Sequence, residues 1–240
     1  MKILGYIILL AISSNVFSSP IPDFPFVTVT GDSIRKVAPD SAVINLQVIT
    51  FAKESSKAHD DLNKTIQDIL TILKKNGVST KNISSYEIRK DTKRAREKNG
   101  YNNLDILGYE LSQTFEVKLE NLEYYSTITS ELTKINNVED IASKFDVSNR
   151  ENIEIELITE AGKKAKLKAK QMALGLGVKI DSVFAINDSG SYKSFFATFG
   201  LNTGGGINFN SPSMSVANSM FIPKYIEISK SINVVYKLEE

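Results

Sequence analysis

Apolar and polar residues alternate one by one through segment after segment of this 240-residue chain, and no other feature limits the fold as much. A period of two sends successive side chains to opposite faces of a strand. Residues 26–34 alternate in this way, and so do 42–50, where Ala42, Ile44, Leu46 and Val48 oppose Val43, Asn45, Gln47 and Ile49. Residues 106–119 form a third long run, and stretches near 86–90, 140–147, 178–187 and 224–238 read as further strands. Strands of a parallel sheet covered on both faces would be solidly apolar instead. The alternation therefore predicts largely antiparallel strands with one wet face and helices on the other.

Three segments change period to three and four. In residues 55–75, Ala58, Leu62, Ile66, Ile69, Leu70 and Leu73 make one apolar stripe, and Asn76-Gly77 ends it with a residue suited to a left-handed cap. Residues 122–135 carry Leu122, Tyr125, Ile128, Leu132 and Ile135 on one face. The third helix opens at Ser148-x-x-Glu151, which has the form of a capping box, and runs to Leu176 before Gly177. The expected class is α+β, a largely antiparallel sheet with about three helices packed on it, in the order β-β-α-β-β-α-β-α-β-β. Ala38-Pro39-Asp40 is expected to join the first two strands as an antiparallel hairpin. A charged loop is expected over 91–103, and a long flexible loop over 188–220, which is rich in Gly, Ser and Asn.

The amino-terminal segment reads as a secretion signal. Lys2 precedes an apolar run from Ile3 to Ile12, and Val16 and Ser18 fit the −3 and −1 positions of a cleavage site between Ser18 and Ser19. The run is about half the roughly 20 residues that a membrane-spanning helix needs. The expected organisation is a signal peptide (1–18), an extended leader (19–25) and one domain (26–240), placed in the periplasm. Taking Lys2 away leaves 28 Lys and Arg against 28 Asp and Glu, from 29 and 28 in the whole chain. That balance argues against nucleic acid as a partner. The absence of cysteine removes disulfides, thiol nucleophiles, cysteine metal sites and a lipoprotein anchor together, so folding rests on apolar burial. The length supports one sizeable core, or two small ones sharing a sheet.

No catalytic, cofactor-binding or metal constellation stands out. His59 is the one histidine, beside Asp60 on a predicted helix, and reads as a surface residue. Gly204-Gly205-Gly206 lacks the Gly-Lys-Ser/Thr ending of a phosphate loop, and Ser189-Gly190-Ser191 is not a nucleophile elbow. The candidate contact residues are of two kinds. Phe195, Phe196, Phe199 and Phe209, with Phe221 beside them, punctuate the polar loop. Lys163, Lys164, Lys166, Lys168 and Lys170 load the third helix and cannot share one face, so they form a broad collar. Lys90, Lys93, Arg94, Arg96 and Lys98 make a second basic stretch.

Read in order, several of these segments resemble the SIMPL-domain family of exported bacterial proteins. Val27-Thr28-Val29-Thr30-Gly31 resembles its opening V-x-V-x-G, and Pro39-Asp40 followed by Ala42 and Val43 its turn into the second strand. Gly108-Tyr109, Phe115-Glu116-Val117 and Asn121-Leu122 resemble its central strand and helix entry. Glu160-Ala161, Ala165, Lys168-Ala169, Met172-Ala173 and Leu176-Gly177 resemble its alanine ladder, whose small residues every four positions let a helix lie close on its neighbour. The dense lysines of the ladder and Lys224, where glycine is usual, depart from the pattern. The resemblance implies an envelope-located domain without an established catalytic site, in a family with ring- or channel-forming members and links to stress tolerance. The expected function is non-enzymatic: a homo-oligomer in envelope maintenance or oxidative-stress tolerance, with an envelope protein or an anionic membrane surface as further partner. The alternative is a monomeric periplasmic module that binds a small ligand or an envelope protein.

Overall fold

The computed structural model describes residues 22–96, 102–188 and 221–239. The elements follow in the order β1 (Phe26–Val37), β2 (Ser41–Ala52), α1 (Ser55–Lys75), a 3-10 turn (Thr80–Asn82), β3 (Ile83–Arg96), β4 (Asn102–Leu119), α2 (Tyr125–Leu132), β5 (Val138–Asp146), α3 (Arg150–Gly175), β6 (Ile180–Asn187) and β7 (Ile226–Leu238). The α+β class and the element order agree with the alternation and the helical periods. The strands form not one sheet but two, ordered β1-β7-β6 and β3-β4-β2-β5. Two compact units result, one of residues 36–152 and 221–228, the other of 22–35, 153–188 and 229–239.

In the first unit β2 is central. It pairs antiparallel with β4 from Ala42 opposite Leu119 to Ala52 opposite Tyr109, and with β5 on its other side. Ala42, Ile44, Leu46 and Val48 are buried, while the alternate residues meet solvent in part. The buried face meets Ala58, Leu62, Ile69 and Leu73 of α1 and Tyr125, Ile128 and Leu132 of α2. Each large apolar side chain so buried contributes roughly 1.5–3 kcal/mol. The ring of Tyr125 also meets Phe145 edge-on, centroids 4.9 Å apart.

The second unit packs differently. Leu157, Ala161, Ala165, Ala169 and Ala173 are the buried residues of α3, a file with a spacing of four. Ala161, Ala165 and Ala169 lie against Val29 of β1 and Ile232, Val234 and Tyr236 of β7. At Gly31 the backbones nearly touch: an added Cβ would lie 2.0 Å from Ala161 O and 2.7 Å from Ala165 N. One turn away, Ser33 Oγ donates to Leu157 O over 2.6 Å. Small residues on both partners permit this approach.

Both long helices end alike. The N–H of Val78 donates to Leu73 O and that of Gly77 to Lys74 O, and Val178 and Gly177 repeat this on Ala173 and Leu174. Gly77 and Gly177 take φ of 76° and 74°, a conformation glycine adopts without steric cost.

Three expectations are corrected. β1 and β2 are not a hairpin. Leu238 N–H donates to Pro25 O, and Thr30 Oγ1 to Asn233 Oδ1, so β1 runs antiparallel to β7. Ala38-Pro39-Asp40 has no glycine or asparagine, and the ring of Pro39 fixes its φ at a negative value, against the positive φ of a tight two-residue hairpin. The two strands also suit different helices: the small face of β1 fits alanines, the large face of β2 fits leucines. The charged loop expected over 91–103 is strand as far as Arg96, and Asn102 already belongs to β4. Arg94 is exposed and Asp91 and Lys93 are half-buried, so these charged side chains of β3 keep contact with water; residues 97–101 lie outside the described residues. The third helix starts at Arg150, later than a cap at Ser148 implies. The hydroxyl and N–H of Ser148 instead donate to Asp40, each over 2.7 Å.

Two predictions follow from these contacts. Gly31→Ala should cost roughly 3 kcal/mol, because backbone must move. Gly162→Ala, a helix glycine with nothing within 4 Å, should instead stabilise by about 0.5–1 kcal/mol. Denaturant unfolding of both variants checks this contrast. The donated bonds, that of the Ser148 hydroxyl first, hold the Asp40 carboxyl below its usual range. Its contribution is therefore present above the ordinary carboxylate range and is lost as pH falls through the depressed value. Asp40→Ala should cost about 1 kcal/mol at neutral pH, and the gap from wild type should close in acid, as thermal melts against pH would record.

Candidate functional site

The lysines of α3 follow from its packing. With one file of the helix buried, three remain for solvent. Lys163 lies on the outward file with Ile155, Leu167 and Gln171. Lys164 and Lys168 lie on one flank, Lys166 and Lys170 on the other, and all five are exposed. Lys164 Nζ donates to Asp32 O over 3.0 Å. The acidic half of the helix is held from the sheet: Arg35 pairs with Glu156 and Glu160, and Lys230 with Glu154 at 2.6 Å. Those bonds to Glu156 and Glu160 raise the Arg35 pKa. Leu167, Met172, Leu174 and Leu176 are exposed beside the lysines.

The other unit offers an open sheet edge. β3 is the outermost strand, and residues 84–90 are exposed without a break. Tyr86 and Ile88 are 55 % and 57 % exposed. A bulge between Ser85 and Ile88 sets Ile88 opposite Gln113 and Ser85 opposite Phe115, while the Tyr86 hydroxyl reaches Glu116 Oε2 at 3.3 Å. The two apolar side chains thus leave opposite faces of one strand. Beside the bulge a shallow cleft of about 350 Å³ opens between α1, β3 and β4, lined by Ile66, Leu70, Ile83 and Phe115 with Thr80, Ser85 and Gln113. Lys93 pairs with Glu110 and Arg89 with Asp91, so part of the basic stretch on β3 is neutralised locally.

Phe195, Phe196, Phe199 and Phe209, and the glycine run at 204–206, lie outside the described residues. Phe221 is described and exposed. His59 is exposed, 3.7 Å from Asp60 and 3.3 Å from the Asn63 amide. Among the described residues no group of three or more His, Cys, Asp or Glu could hold a metal, and no helix is long and apolar enough to cross a membrane. Sequence reasoning missed Tyr86, Ile88 and the cleft, for which only the run of charge beside residues 86–88 gave a signal. It also missed Leu174 and Leu176, although both fall outside the four-residue alanine file.

The small-residue contact at Gly31 and the alanine file lie within residues 27–236, which match the sequence profile of SIMPL, described as a protein of unknown function (DUF541). The chain belongs to the SIMPL family. It is 24 % identical over 174 residues to the uncharacterized protein YggE of Edwardsiella ictaluri, covering 72 % of each chain. It is 25 % identical over 168 residues to the 26 kDa periplasmic immunogenic protein of Brucella abortus, covering 68 % of this chain and 66 % of that one. The protein of the same name from Brucella melitensis matches over the same shares at 25 % identity. SIMPL membership and the alanine file thus account for the same helix, and the family description assigns it no reaction.

Proposed function

We propose that this SIMPL-domain chain is a non-enzymatic, exported protein of the periplasm that assembles with copies of itself and supports the envelope, including under oxidative stress. The observation that carries self-association is the open edge of β3. Among the described residues β3 is an outer strand with β4 as its one neighbour, residues 84–90 are exposed, and Tyr86 and Ile88 add apolar surface on both faces. Such an edge is a template for pairing with another strand. Location rests on the leader-like first 18 residues and on the Brucella relatives, which are named periplasmic. The stress setting rests on the family resemblance alone. The absence of cysteine is compatible with it, since the chain has no thiol to oxidise.

The exported chain, with Ser19 expected as its first residue, should run as one discrete multimer in light scattering after size exclusion. Tyr86→Glu with Ile88→Lys should reduce it to single-chain mass without lowering Tm, because both side chains are exposed. A wild type of single-chain mass would overturn the reading.

The cleft beside the β3 bulge favours a second reading, a monomeric binding module. An apolar floor with Thr80, Ser85 and Gln113 at its rim suits a small apolar ligand bearing one polar group. A saturable rise in Tm with alkyl or aryl alcohols, abolished by Ser85→Phe, would favour it; no shift in a monomeric protein would remove it.

A further inference from the structure

We infer that the basic half of α3 docks on an anionic lipid bilayer, with its lysines on headgroup phosphates and Leu174 and Leu176 in the interfacial layer. This surface lies within one unit and does not depend on self-association. Charge is graded along α3. Glu154, Glu156 and Glu160 near its start are held by Lys230 and Arg35, so they are not available to the lysines. Lys163, Lys166, Lys168 and Lys170 have no acidic partner among the described residues. Positive charge is therefore left concentrated over the carboxyl-terminal half.

Two further features select a bilayer over an acidic protein. The lysines occupy all three solvent-facing files of the helix. A strand or helix of a partner protein would meet one file, whereas long lysine side chains on all three can reach a diffuse plane of phosphates. Exposed apolar residues also lie among and beyond them. Leu174 and Leu176 are 79 % and 78 % exposed, and Leu167 and Met172 lie among the lysines. Basic side chains flanking large apolar ones are what an interfacial helix presents to lipid. The buried alanine file leaves this side of α3 outward.

The test uses the chain from Ser19 onward, since the apolar run before it would itself partition into lipid. The chain has no tryptophan, so Leu174→Trp supplies a single reporter. Vesicles of phosphatidylglycerol and phosphatidylethanolamine should sediment the wild type and shift the reporter's emission to the blue. Vesicles of phosphatidylcholine alone should do neither, and high salt should release the protein. Lys166→Gln, Lys168→Gln and Lys170→Gln together should weaken binding roughly a hundred-fold with Tm unchanged. Leu174→Asn with Leu176→Asn should weaken it while the salt dependence persists. Three results would overturn the proposal: no sedimentation with anionic vesicles, binding that survives the lysine changes, or an unshifted reporter with full displacement by soluble polyglutamate. The last would assign the surface to an acidic protein.

Discussion

The approach of Gly31 to the backbone of α3 is the contact on which one unit of this protein is built. Strand and helix normally keep a side chain's width apart. Here an added Cβ would lie 2.0 Å from Ala161 O, so neither partner has room for one more carbon. The buried file of α3 is alanine in four of its five positions for the same reason. Alanine contributes little apolar area, so the large buried side chains of this unit come from the sheet, Ile232, Val234 and Tyr236, and the helix adds dispersion at short range and the bond of Ser33 to Leu157. A narrow contact also leaves three of the four files of α3 open to water, and that is why one helix carries five exposed lysines and the exposed Leu167 and Leu174.

The other unit solves the same problem with bulk. β2 lies between β4 and β5 and presents Ile44, Leu46 and Val48 to leucines and isoleucines of two helices. Because its side chains are large, small irregularities leave gaps. The bulge near Ser85 sets a small residue opposite Phe115, and a cleft opens beside an outer strand whose apolar residues have no cover. The two candidate surfaces therefore have different origins: one comes from packing too close to bury more than one file, the other from a sheet that ends.

Much of the fold was legible because its signals are local. The stripe of Ala58, Leu62, Ile69 and Leu73 marks α1, Gly77 and Gly177 mark two helix ends, and the alanines of α3 mark a close contact. Long-range pairing was not legible. Phe26–Val37 and Ser41–Ala52 both alternate, but alternation says only that a strand has two faces, so it could not assign β1 to β7 and β2 to β4. The reading of a loop from residue 91 failed over 91–96 because charge marks contact with water, and an outer strand keeps that contact as a loop does. Ser148 had the pattern of a cap, but the helix begins at Arg150, and the Ser148 hydroxyl donates to Asp40, more than a hundred residues earlier in the chain.

By itself, then, the sequence determined the strands and helices, their order, the α+β class, the small-residue helix and the family to which the chain belongs. Each of these follows from periodicity or short motifs, which act within a few turns of chain. Only the tertiary structure decided that there are two sheets, that β3 is an outer strand, that Glu156 and Glu160 are held by Arg35, and that the lysines of α3 surround its outer side. Those outcomes depend on which faces match in size and charge across long stretches of chain. No local pattern records that match.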